Sequence, residues 1–212
     1  MQNKERWLKY MHDFSLNNSD QYFDVLKEIG NIGAGNATTA LAQLLQCKVD
    51  MKVPQIRLLG FSEVGAAIGG EEQLMAGVYL IVEGEITGSM MFLLEEKAAH
   101  SLVSKLMQSE ETEGDFTEME LSAMKEIGNI IVASYLNSLS TLTGLSIMPS
   151  VPDLCIDMAG AILSVPAIEF GEIGDKILMI QTEFSDEKSL NGYFILVPDL
   201  ESYDKILSAL GM

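Results

Sequence analysis

The sequence predicts an α/β (α+β) fold: an internal duplication with pseudo-twofold symmetry, whose two long helices pack on one shared, mainly antiparallel sheet. Three observations carry this expectation. The hexapeptide Lys27-Glu28-Ile29-Gly30-Asn31-Ile32 recurs unchanged as Lys125-Glu126-Ile127-Gly128-Asn129-Ile130, 98 residues later. The register then persists, so that Leu41 meets Leu139, Leu44 meets Leu142 and Pro54 meets Pro152, which makes chance a poor explanation. Each copy sits in a long stretch of helical period and is followed by short apolar runs bounded by turn residues.

The elements follow in order. Residues 20–46 read as a long helix with Val25, Ile29 and Ile32 on its apolar face, and residues 117–143 read the same way with Met124, Ile127 and Ile131. Thr117-Glu118-Met119-Glu120 is a capping-box pattern that fixes the second helix start, and Gly144 is a natural stop. An extended segment follows each helix, at 49–59 and 145–156, and the proline in each predicts an edge or bulged strand. Short apolar helices are expected at 62–68 and 158–165. Paired strands then fall at 76–82 with 88–94, turning at Glu83-Gly84-Glu85, and at 176–184 with 192–197, turning around 185–191. Each pair leads into an amphipathic helix, at 96–107 and 200–210. The acidic, glycine-containing stretch 109–115 is read as the linker. The expected organisation is an N-terminal extension, 1–19, and one domain, 20–212, made of repeats 20–108 and 117–211. Halves of this size bury little alone, so one shared sheet is expected.

Composition narrows the function. Among 212 residues, 48% are hydrophobic, enough for a sizeable core. Thirty-one acids against thirteen bases give a formal charge of −18. That balance argues against nucleic acid, which is bound through a basic face, and against docking on anionic lipid. Cys47 and Cys155 have no neighbours at metal-ligand spacing and are read as small core residues. His12 and His100 lack companion ligands, so no metal is expected on this chain. No stretch suits a signal peptide or a membrane span, and a cytoplasmic protein is expected.

The repeated motif carries the chemistry. At about 100° per residue, Asp24, Glu28 and Asn31 fall within about 60° of one another on the helix surface, away from the core face. Ser122, Glu126 and Asn129 form the matching stripe. Mid-helix Asn costs up to about 0.7 kcal/mol against Ala, and Gly30 and Gly128 about 1 kcal/mol each. Local rules broken twice at matching places point to function. The plainer alternative is that the glycines admit a close-packed neighbour. No Ser–His pair or nucleotide-phosphate loop accompanies these residues. An amide cannot serve as a base near neutral pH, but it can hold a water and aim it in line. A carboxylate beside it can pair with a partner's Lys. Such a site suits a substrate that is already activated, as an aspartyl phosphate is.

The spacing Asp/Ser-x3-Glu-x2-Asn-x22-Pro resembles the signature of the CheC/CheX/FliY phosphatases of chemotaxis. It reads Asp24, Glu28, Asn31, Pro54 and again Ser122, Glu126, Asn129, Pro152. Two intact motifs resemble the CheC branch. The resemblance implies hydrolysis of phosphorylated CheY, with Glu28 and Glu126 contacting a CheY lysine and Asn31 and Asn129 orienting the water. Asp24 and Ser122 would support them, Pro54 and Pro152 would be structural, and the Mg²⁺ would belong to CheY. Two-motif members often also bind CheD. The segment around Asp157, Met158, Ala161 and Ile162 resembles the short helix used there, although apolar residues at that spacing more often pack on a sheet. The competing reading is a non-catalytic CheD-binding or flagellar-switch adaptor. Residues 1–19, with Trp7, lie outside the resemblance.

Overall fold

The computed structural model describes residues 19–111, 114–170, 176–185 and 189–211. The expected extension before Ser19, part of the linker and the middle of the 185–191 turn therefore lie outside the described residues.

Helix α1 (Ser19–Leu45) leads into β1 (Asp50–Gly60), short helix α2 (Phe61–Ala67), β2 (Leu74–Gly84), β3 (Gly88–Glu95) and α3 (Glu96–Met107). The second repeat runs α4 (Glu118–Thr143), β4 (Ile147–Pro149), β5 (Asp153–Met158), α5 (Ala159–Phe170), β6 (Lys176–Ser185), β7 (Ser189–Pro198) and α6 (Leu200–Ala209). The capping box forms: the Thr117 hydroxyl accepts from the Glu120 N–H at 3.3 Å, and the Glu120 carboxylate accepts from the Thr117 N–H at 2.7 Å. Gly144 closes the helix at φ 71°, where a side chain would be strained.

All seven strands join one antiparallel sheet in the order β1-β6-β7-β3-β2-β4, with β5 also on the outer edge of β2. Exchanging the repeats reverses this order and leaves it unchanged. Each proline-bearing segment pairs with the other repeat: β1 with β6, and β4 and β5, on either side of Pro152, with β2. The halves thus interlock through their edges. Both prolines mark irregular edges, as expected. The β1–β6 register shifts between Lys52 and Gln55, around Pro54. The predicted strand 145–156 is instead two strands, broken at 150–152, where Pro152 has no amide hydrogen to give the ladder.

Side chains alternate across the sheet, and both faces are covered. Val78, Leu80, Phe92, Ile180, Phe194 and Leu196 face the long helices, while Met75, Leu93, Ile177, Met179, Tyr193 and Ile195 face α2 and α5. Strands buried on both sides explain why the sequence shows continuous apolar runs there. The two long helices lie on one face and pack on each other. Tyr135 of α4 meets α1 at Gly33, and the Asn36 amide donates to the Ser138 hydroxyl at 3.2 Å. On α1 the buried line is Leu26, Ile29, Ala34, Ala37 and Leu41, and the predicted Val25 and Ile32 are only half-buried. Helix α5 starts at Ala159, not Met158, so Asp157 and Met158 end β5.

Cys47 is half-buried at the margin of the core, but Cys155 is exposed, which corrects the core assignment for the second thiol. An edge strand has no neighbour on one side to cover it. Desolvation of the sulfur and the charges of Asp157 and Asp153 push its pKa up, so it is a poor nucleophile. His100 is buried, stacks on Phe116 at 3.7 Å and donates through Nε2 to the Gly114 carbonyl at 3.0 Å. No helix among the described residues is long and apolar enough to cross a membrane.

Tyr135 anchors the helix layer to the sheet. Its ring stacks on Phe194 at 4.2 Å, and its hydroxyl lies 3.1 Å from that of fully buried Thr182. Burial pushes the phenol from 10.0 up to about 12. The unfolded chain therefore releases this proton first. The stabilisation is complete below pH 10.0 and is lost as pH rises through about 12. Tyr135→Phe should cost about 1 kcal/mol at neutral pH, because it strands the Thr182 hydroxyl. It should also flatten the alkaline fall in stability, which denaturant titrations across that pH window will measure.

Candidate functional site

The two stripes form as the helical spacing requires. Asp24, Glu28 and Asn31 are all exposed on α1. Ser122 and Glu126 are exposed on α4, and Asn129 is half-buried. Helix geometry fixes where they point. Gly33 and Asn36 mark the side of α1 that meets α4, and Tyr135 and Ser138 mark the reciprocal side. Counting about 100° per residue, each Glu–Asn stripe is turned roughly 140 to 180° from the opposing helix. The motifs are therefore separate sites on opposite flanks of the helix pair, each above the edge that carries its own proline strand.

The glycine beside each Asn has a packing role. A Cβ built on Gly30 would lie 3.4 Å from Val53 in β1, next to Pro54, and 3.6 Å from Ile180 in β6. On Gly128 it would lie 2.5 Å from Cγ2 of Val78 and 2.9 Å from its Cβ. Gly128 lets α4 settle on the sheet and brings Asn129 down beside the strand edge. The plainer reading of the glycines thus holds at Gly128 and weakly at Gly30. It does not cover the asparagines, which face outward and cap nothing within their helices.

Each site joins one acceptor-only group, a carboxylate, to an amide that both donates and accepts. The amide can accept one hydrogen of a water and direct a lone pair outward, and the carboxylate can receive a cation. Among the described residues no group of three His, Cys, Asp or Glu side chains gathers to hold a metal.

The second predicted contact surface is mixed. Asp157, Met158 and Ala161 are exposed, Met158 by 50%, whereas Ile162 is buried and its Cγ2 would touch a Cβ built on Gly77 at 3.1 Å. Ile162 is therefore a core residue. Sequence reasoning missed Val165 and Ile168 on the same helix, which are 42% and 79% exposed. Pro166 between them, inside the helix, is the one irregular signal there, since it removes a hydrogen bond from the helical ladder.

The chain matches the CheC-like family over residues 24–57 and again over 119–156, which are the two motif-bearing segments. It is 37% identical to the CheY-P phosphatase CheC of Bacillus subtilis over 91% of this chain and 95% of that one. Among solved structures it resembles FliY of Thermotoga maritima, with a TM-score of 0.74 at 22% identity, covering 91% of this chain and 96% of that one. FliM in a complex with SpeE from H. pylori shares the fold at 13% identity, with a TM-score of 0.68 over 91% and 95% of the two chains.

Proposed function

The chain belongs to the CheC-like family, and we propose that it is a phosphatase that hydrolyses the aspartyl phosphate of the chemotaxis response regulator CheY in the cytoplasm. The observation that carries the reading is the doubled, outward-facing Glu–Asn pair: docking alone does not require the amide, and water positioning does. Glu28 or Glu126 pairs with a lysine of CheY and sets the register. Asn31 or Asn129 then holds a water in line with the acyl phosphate. The water oxygen bonds to phosphorus, the bond from phosphorus to the aspartyl oxygen breaks, and that carboxylate leaves as the anion. The water's proton passes to the phosphate product or to solvent. A Mg²⁺ held by CheY would meet the charge on the phosphoryl oxygens. Asp24 and Ser122 are supporting positions one turn before Glu28 and Glu126, and Pro54 and Pro152 shape the strand edge beneath.

The test is the decay of phosphate on CheY in Mg²⁺ with and without this protein. Accelerated decay supports the reading. Unchanged decay with a matched CheY would sink it and favour the adaptor role.

A CheD contact at the end of β5 and the start of α5 is a second proposal, favoured by the exposure of Asp157, Met158 and Ala161. Methionine is enriched in protein interfaces relative to the rest of the surface. Met158→Glu should abolish co-elution with CheD and leave CheY dephosphorylation intact. Retained co-elution would place CheD elsewhere.

A further inference from the structure

The two sites share a motif but differ in what surrounds it. Met119 lies on the same line of α4 as Ser122, Glu126 and Asn129, and it is 69% exposed. It stands seven residues before Glu126, about 10.5 Å along the helix. Its counterpart in the first repeat is Gln21.

The second difference lies at the sheet edge. Val53, beside Pro54, is buried at 4% exposure, and it fills the space under Gly30. Its counterpart Val151, beside Pro152, is 87% exposed. Val78 occupies the equivalent space under Gly128, and the break at 150–152 turns Val151 outward. Ser150, the neighbour of Val151, exchanges hydrogen bonds with Ile81 of β2 at 2.9 and 3.0 Å, and Ile81 lies three residues, about 10 Å, beyond Val78 on that strand. Val151 therefore lies on the same sheet edge as the strand that seats Gly128, about 10 Å along from it.

A protein that docks on Glu126 covers about 800 Å² per partner, a disc of roughly 16 Å radius. Met119, about 10.5 Å from Glu126 along the helix, falls inside it, and Val151 borders it at the sheet edge. Surface charge is abundant on this chain, yet these two positions at the margin of the second stripe are apolar. We propose that Met119 and Val151 are apolar contacts to the response regulator at the second site, which the first site lacks, and that they set a tighter affinity there. This rests on the phosphatase reading of the Glu–Asn stripes.

The experiment separates the sites. In an Asn31→Ala background only the second site turns over. There Met119→Gln and Val151→Ser should each raise KM for phosphorylated CheY roughly three- to tenfold, with kcat little changed. In an Asn129→Ala background, Gln21→Met should lower KM at the first site, a gain that no merely structural role produces. Unaltered KM in all three variants would overturn the proposal, as would a fall in kcat at constant KM. Failure of the phosphatase reading looks different: hydrolysis would persist in the double Asn31→Ala, Asn129→Ala variant.

Discussion

The double variant Asn31→Ala, Asn129→Ala should lose CheY dephosphorylation by at least about 100-fold, since an unpositioned nucleophile forfeits that much or more. Its thermal stability should hold or rise. Asn31 is exposed and Asn129 only half-buried. Alanine in a helix interior is favoured over asparagine by up to about 0.7 kcal/mol. Activity and stability therefore move in opposite directions, the mark of a residue kept for function against its local preference. Glu28→Ala with Glu126→Ala gives a contrasting result. An ion pair made equally in the docked complex and the transition state raises KM when removed and leaves kcat largely in place. Adding salt to the wild type should mimic that change in part, because exposed pairs are screened. Single-turnover decay at several protein concentrations resolves both parameters. A double Asn variant that still hydrolyses at the wild-type rate would refute the water-positioning role.

The site was legible because a repeat acts as its own comparison. Glu–Asn at one helix surface is an ordinary pattern, but its return 98 residues later with a proline held in register is not. The helix limits were legible where chemistry marks them, at Thr117, Glu120 and Gly144. Strand order was not, because local periodicity carries no information about partners. The exchange of β1 onto β6 and of β5 onto β2 is decided by packing across the repeats. Burial also misled where it depended on that exchange. Cys155 reads as a core residue among apolar neighbours, but β5 is an edge, and its outer side is open. Ile162 reads as a partner contact by resemblance, but Gly77 leaves a hollow in the sheet that it fills. Val53 and Val151 are identical in sequence position and opposite in exposure, a difference that only the structure contains.

The glycines supply the sharpest contrast in stability. Helix propensity alone says that each Gly→Ala change gains about 1 kcal/mol. At Gly30 the new methyl would sit 3.4 Å from Val53 and 3.6 Å from Ile180, ordinary contact distances. Gly30→Ala should therefore stabilise the fold by about 0.5 to 1 kcal/mol. At Gly128 the same methyl would meet the Val78 Cβ at 2.9 Å and its Cγ2 at 2.5 Å. Val78 is fully buried in β2, between β3 and β5, and a rotamer change cannot move its Cβ. Helix α4 must lift, at a cost of about 1 to 3 kcal/mol from overpacking. Gly33→Ala is crowded as well, because the methyl would meet Tyr135 at its ring, 2.8 Å, and at its backbone Cα, 3.2 Å. Flexing that side chain relieves only the first contact, so the two long helices must separate and the Tyr135–Phe194 stack shifts with them. For a chain of this size each kcal/mol moves the Tm by roughly 2 to 4 °C. Calorimetry should thus find Gly30→Ala above the wild type and both Gly128→Ala and Gly33→Ala several degrees below it. Equal shifts at Gly30 and Gly128 would mean that the two repeats seat their helices alike, against the unequal contacts at Val53 and Val78. A lifted α4 would also carry Asn129 away from the strand edge, so Gly128→Ala should weaken the second site and spare the first.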